Sequence, residues 1–151
     1  MAKQSDEEIF SLEKYNELIE VVLQKIKADK TFRPDTILAL STGGFPIAAT
    51  LSKKLSIKSR YVIGIPVYRD DTDEYRFEDT LLSFGNYSNR QVLIIDDSSK
   101  RGLLTKKAVS VVESCGGKAK SCVLISWKEG IQPDYVAEIC EGEPPDFFWE
   151  Y

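Results

Sequence analysis

The stretch Gln91–Gly102 reads QVLIIDDSSKRG. Val92, Leu93, Ile94 and Ile95 form an unbroken apolar run, the pattern of a strand buried on both faces of a parallel sheet. Asp96 and Asp97 follow where that strand would emerge, and then come small and basic residues, a glycine and a helical pattern from Leu103. A strand ending in paired acids and turning into a helix gathers carboxylates and backbone N–H groups around one crevice. That is where open α/β sheets bind ligands. The same residues also read as a solvated turn whose acids cap the next helix, since Asp is common in turns and near helix starts.

Working outward, Thr36–Leu40 (TILAL) reads as a central strand, followed by Ser41-Thr42-Gly43-Gly44 and a helix carrying Ile47, Ala48, Leu51 and Leu55. Pro46 suits a first helical turn, and the paired glycines allow close approach of backbone to an anion, or a simple tight turn. Upstream, Ile9-Phe10 reads as a short edge strand and Ser11 as an N-cap. Leu12, Tyr15, Leu18, Ile19, Val22 and Ile26 form one helical stripe. Tyr61–Val67 is strand-like, and Tyr68–Asn89 is a densely charged segment that reads as a functional loop or a polar hairpin. Its acids Asp70, Asp71, Asp73 and Glu74 lack the glycine and terminal Glu of a calcium loop. Beyond Gly102, Leu103–Cys115 reads as a helix stopped by Gly116-Gly117, Lys120–Ser126 and Asp134–Ile139 as strands, and EPPDFFWEY as a docked aromatic tail. Strands alternating with helices imply an α/β domain: a mostly parallel central sheet with helices on both faces, over residues 1–151.

The whole-chain features narrow the chemistry. The chain has 151 residues, 42% of them hydrophobic, and a formal net charge of −4. That charge gives no global argument for nucleic acid as a partner. No apolar run approaches a membrane span and MAKQSDEE lacks a secretory core, so a cytoplasmic location without membrane contact is expected. The three cysteines lack metal-ligand spacing and read as packed free thiols. The absence of histidine rules out Ser-His or Cys-His nucleophile pairs and His-based zinc catalysis. Any general acid or base must be a carboxylate, Lys, Tyr or Cys.

Four segments together resemble the type I phosphoribosyltransferases, most closely the xanthine–guanine–hypoxanthine branch. LALSTGGFPIAATLSKKL is similar to that branch's pyrophosphate-loop segment, and VLIIDDSSKRGLL to its phosphoribosyl-pyrophosphate signature. SWKEGIQPDYVAEI is similar to its Lys-Pro…Pro-Asp-Tyr segment, and DFFWEY to its aromatic tail. The resemblance implies transfer of ribose 5-phosphate from phosphoribosyl pyrophosphate to a 6-oxopurine, with release of pyrophosphate. It implies that Asp96 and Asp97 hold the ribose hydroxyls and place Mg2+. Ser98, Ser99, Lys100, Arg101, Gly102 and Leu103, within a turn reaching Leu104, would cradle the 5-phosphate. Thr42, Gly43 and Gly44 would meet pyrophosphate, Lys128 the purine's exocyclic oxygen, and Phe147, Phe148 or Trp149 the face of the base. The Tyr68–Tyr87 segment would be the flexible catalytic loop that excludes water, with a small C-terminal hood beyond the sheet and a homodimer as the assembly.

The departures from the family pattern fall on those same positions. The family usually has Asp-Thr-Gly-x-Thr where this chain has Lys100, Arg101, Gly102, Leu103 and Leu104. The acid that usually serves as general base is thus a lysine, both phosphate-binding hydroxyls are replaced, and the pyrophosphate-loop Arg is Thr42. Loss of general-base help costs about 10²–10⁴-fold in rate. Lys100 and Arg101 nevertheless add two cations, and Arg can grip phosphate in a bidentate fashion. A second expectation therefore stands beside transfer: a weak or silent relative that binds a purine nucleotide or phosphoribosyl ligand for regulation.

Overall fold

Thr36–Leu40 is strand β1, and every one of its residues is buried, as an apolar run between two covered faces requires. The computed structural model describes residues 10–69, 75–77, 82, 86–143 and 146–150. Within them, β1 pairs in parallel with β2 (Val62–Ile65) on one side and with β5 (Gln91–Ile95) on the other. β7 (Lys118–Trp127) extends the parallel sheet beyond β5, and β8 (Tyr135–Cys140) closes it as a parallel edge. β1 passes through helix α2 (Ser41–Lys54) to β2 in one direction, while β5 passes through helix α3 (Leu103–Ser114) to β7 in the other. The chain thus reverses its direction of winding between β1 and β5, and a crevice opens there at the strand C-termini.

The alternation of side chains along β1 and β5 supplies both cores. Ile37, Ala39, Leu93 and Ile95 face α1 (Leu12–Ala28) and α2, while Leu38, Leu40, Val92 and Ile94 face α3. Ser11 caps α1 by accepting from the Lys14 amide, as its position predicts. α3 ends in a Schellman motif: Gly116 (φ 88°) donates to Glu113 and Gly117 to Val112.

Several sequence expectations change. Leu12, read as part of the buried stripe, is 62% exposed, because it lies at the first residue of α1. α2 begins at Ser41 rather than near Pro46, so Pro46 lies inside the helix. Its carbonyl accepts from the Tyr15 hydroxyl at 3.1 Å. Ser98-Ser99 is not a turn: it forms strand β6, which resumes the β5 register against β7. Of the two readings of Tyr68–Asn89, the described residues form the hairpin, with β3 (Tyr68–Arg69) antiparallel to β4 (Tyr75–Arg76). Phe77 and Tyr87 anchor its far side by burial in the α3 core. The acids at 70, 71, 73 and 74, and Ile9 of the expected edge strand, lie outside the described residues. Phe10 makes a parallel bridge with Phe147.

Candidate active site

Asp96 and Asp97 interrupt the strand between β5 and β6 without leaving the sheet. The Asp96 amide donates to the Cys122 carbonyl at 3.1 Å. The Leu124 and Ile125 amides both converge on the Asp97 carbonyl, at 3.0 and 3.2 Å. The backbone of both acids is therefore fixed by β7. Asp96 Oδ1 accepts from the Asp97 amide at 2.9 Å, and Asp97 Oδ1 from the Ser98 amide at 2.6 Å. Asp96 is only 8% exposed. Burial, and then the neighbouring Asp97 charge, push its carboxyl well above the usual range.

A cleft of about 610 Å3 opens over these acids, lined by residues 96–105 together with Ser41 and Val67. Its far wall is the turn Lys100–Gly102 and the start of α3. Gly102 is the N-cap, with φ 78° and no capping side chain, so first-turn amides of α3 are open to an anion. Gly102 also has to be glycine because a Cβ there would strike the Ile131 carbonyl. The β7–β8 connection backs this turn closely: the Ile131 amide donates to the Arg101 carbonyl at 3.0 Å, and a Cβ on Gly130 would collide with the Lys100 carbonyl. Gln132 holds that connection by donating to the Trp127 carbonyl at 2.7 Å and by bonding to the Ser126 hydroxyl.

The structure thus brings together Asp96, Asp97, Ser98, Ser99, Lys100, Arg101, Gly102 and Leu103 in one cleft, with Leu104 beside them. Thr42, Gly43 and Gly44 sit at the start of α2 next to it but do not line it. The two glycines let helix and strand meet: a Cβ on Gly43 would fall on the Asp97 carboxylate, and one on Gly44 would lie 2.6 Å from the Ile95 carbonyl. Lys128 stands outside the cleft lining, paired with Glu141 at 3.0 Å. Phe147, Phe148 and Trp149 pack on Phe10 and Tyr15 and do not line the cleft either.

Three cleft residues were not among the sequence candidates. Ser41 has φ 58°, a conformation costly for a residue with a Cβ and common where a site dictates the backbone. Val67 enters by following β2, and the buried Thr105 betrays itself as a polar residue on the apolar side of α3.

Two adjacent carboxylates fit a divalent cation, which is hard and takes oxygen ligands. The particular sign of fit is that Asp96, 8% exposed, lines the cleft beside Asp97: a cation there would offset both the desolvation of the buried carboxylate and its repulsion from Asp97. Cys122, fully buried with its thiol pushed up to about 12, is no nucleophile.

Known proteins are similar to this chain in sequence and in fold. The chain is 27% identical over 115 residues to the transcriptional regulator GfcR of Archaeoglobus fulgidus, covering 75% of this chain and 55% of the relative. It is 28% identical over 120 residues to an orotate phosphoribosyltransferase of Saccharolobus solfataricus, covering 79% and 57%. It therefore spans little more than half the length of these curated relatives. In fold it is similar to a purine phosphoribosyltransferase from Pyrococcus horikoshii (TM-score 0.72, 19% identity, 92% and 89% of the two chains). It is also similar to a Neisseria gonorrhoeae protein solved with bound ppGpp (TM-score 0.75, 17% identity, 95% and 88% of the two chains). Paired acids at the winding reversal, an uncapped helix start facing them, and a match of the phosphoribosyl transferase domain to residues 5–150 agree: the chain belongs to the phosphoribosyl transferase domain family.

Proposed function

We propose that the chain transfers the phosphoribosyl group of phosphoribosyl pyrophosphate to a 6-oxopurine, giving a nucleoside monophosphate and pyrophosphate. The observation that carries this reading is the seating of Asp96 and Asp97 opposite the open amides of α3 in one cleft. As the bond to pyrophosphate breaks, positive charge grows on the ribose carbon. Carboxylates fixed by β7 are placed to hold the ribose hydroxyls and stabilise that charge, while the Ser98–Leu104 segment holds the 5-phosphate. Mg2+ held by Asp96 and Asp97 would help neutralise the leaving group. Thr42, Gly43 and Gly44 are assigned to the pyrophosphate side, and Lys128 and the Phe147–Trp149 tail to the purine. These last assignments require movement, because neither group lines the cleft. A homodimer in the cytoplasm completes the proposal.

Incubating the pure protein with Mg2+, phosphoribosyl pyrophosphate and guanine, xanthine or hypoxanthine is expected to yield the matching monophosphate. Absence of product with every base refutes transfer. The turn behind the site gives a sharper check. Gly130→Ala drives a Cβ into the Lys100 carbonyl and must shift the turn, so kcat/KM is expected to fall at least about 10-fold with circular dichroism unchanged.

One observation favours a second reading. The acid usually assigned as general base is Lys100, which cannot accept the purine proton while charged. A regulatory nucleotide-binding role accommodates that lysine, and a transcriptional regulator and a protein solved with bound ppGpp are among the similar proteins. Calorimetry with purine nucleotides distinguishes the two: binding without turnover selects regulation.

A further inference from the structure

Cations line the cleft at one end only. Among the described residues around it, the positive side chains are Lys100 and Arg101, both in the turn before α3. The α2 end contributes Ser41, and between the ends stand two carboxylates. Among the described residues Lys100 pairs with Glu143 at 3.6 Å, and both side chains face solvent (67% and 87% exposed), so a ligand can displace that pair at little cost. No acid pairs with Arg101 among the described residues.

We propose that this turn is a polyphosphate site and that the cleft takes a nucleoside 5′-diphosphate in preference to the 5′-monophosphate. The inference rests on reading the cleft as a phosphoribosyl site. The open amides at the start of α3 satisfy one phosphate group, as helix N-termini do. A flexible Lys and a forked Arg beside them exceed what one such group needs, and a second phosphate gives the guanidinium a bidentate partner. Phosphoribosyl pyrophosphate places its own diphosphate at the other end of the ribose, where the described residues lining the cleft include no cation. A 5′-diphosphate instead concentrates its charge where both cations are, and the ribose hydroxyls still reach Asp96 and Asp97. A cleft of about 610 Å3 lies within the range of nucleotide-sized pockets. Such a ligand would compete with phosphoribosyl pyrophosphate, making the turn a point of control by the nucleotide pool.

The test is titration calorimetry on the full chain with Mg2+, using guanosine and adenosine 5′-mono- and 5′-diphosphates and phosphoribosyl pyrophosphate. The diphosphate of at least one base is expected to bind about 10-fold or more tightly than its monophosphate, with the ratio falling to within about 2-fold in Arg101→Ala. Arg101 is exposed, so that variant should melt as the wild type does, and Lys53→Ala, exposed in the last turn of α2 and outside the cleft lining, should leave the ratio unchanged. Equal binding of mono- and diphosphate, or a ratio that Arg101→Ala does not alter, overturns the polyphosphate assignment and leaves the phosphoribosyl site standing. Failure of every nucleotide and of phosphoribosyl pyrophosphate to bind overturns both.

Discussion

Asp96→Asn is expected to make the protein more stable and much less active. Asp96 is 8% exposed, and burial followed by the Asp97 charge raises its folded-state pKa. A carboxyl raised by folding binds its proton more tightly in the native than in the unfolded chain. Its contribution is therefore most favourable below the unfolded value, about 3.9. It is lost progressively as pH climbs from there to the raised native pKa, and beyond that the cost stays constant. Asparagine keeps the shape, and its Oδ1 can still accept from the Asp97 amide, but it carries no charge to be buried. At neutral pH the variant is expected to gain on the order of 1 kcal/mol, or ~2–4 °C in Tm at this chain length, and the gain should vanish near pH 4. Transfer should fall about 10²–10³-fold, the usual cost of removing a fixed group that stabilises developing charge.

The pairing of the two effects is what makes the experiment decisive. A structural acid removed from a satisfied contact lowers Tm, whereas a site acid held at a cost raises it. Magnesium provides a readout that does not depend on turnover. Added Mg2+ should raise the wild-type Tm through preferential binding to the native state and should do so much less in Asp96→Asn. A variant that melts lower than wild type at neutral pH, or that turns over normally, would show that Asp96 is not held as a charged site group.

The parts of this site that could be read from the sequence are those encoded by local pattern. Thr36–Leu40 is found with the limits predicted for it, and the apolar run Val92–Ile95 forms the buried part of a strand that begins one residue earlier, at Gln91, because a strand covered on both faces is apolar along its buried length. Paired acids at the strand end then mark the crevice. What could not be read depends on partners distant in the chain. Ser98-Ser99 looks like a turn because both residues are polar, yet β7 keeps it in the sheet through pairing with Ile125 and Ser126. Gly43 looks like an anion cradle, but it also makes room for the Asp97 carboxylate 54 residues later in the sequence. Lys128 matches a family position, while its actual neighbour, Glu141, is on the other side of β8 in the chain. The tail is the clearest case, since nothing near residue 147 says that Phe10 waits for it.

Phe147→Ala is expected to be the most destabilising single change outside the sheet. Phe147 is 3% exposed, stacks on Phe10 at 5.1 Å and on Trp149 at 4.6 Å, and forms the backbone bridge that ties the two ends of the described chain together. Trp149 meets Tyr15 edge-on, and the Tyr15 hydroxyl bonds the Pro46 carbonyl and Thr50 of α2. The tail thus closes the core between α1 and α2. Truncating a buried Phe to Ala costs about 3–5 kcal/mol, from lost transfer energy and the cavity left behind. For 151 residues that is a fall of roughly 6–20 °C in Tm. Phe148, 39% exposed, should cost far less when truncated, although it is the next residue. A base-stacking role makes the opposite forecast. An aromatic waiting for a purine is unfilled without ligand, so its loss should spare Tm and raise the KM for the base. Thermal melts of Phe147→Ala and Phe148→Ala, beside purine KM values taken well below either transition, separate the two roles. A normal Tm with a raised KM in Phe147→Ala would move the tail from the core to the base site. A collapsed Tm with an unchanged KM for the molecules that remain folded fixes Phe147 as the pin that holds the tail on α1.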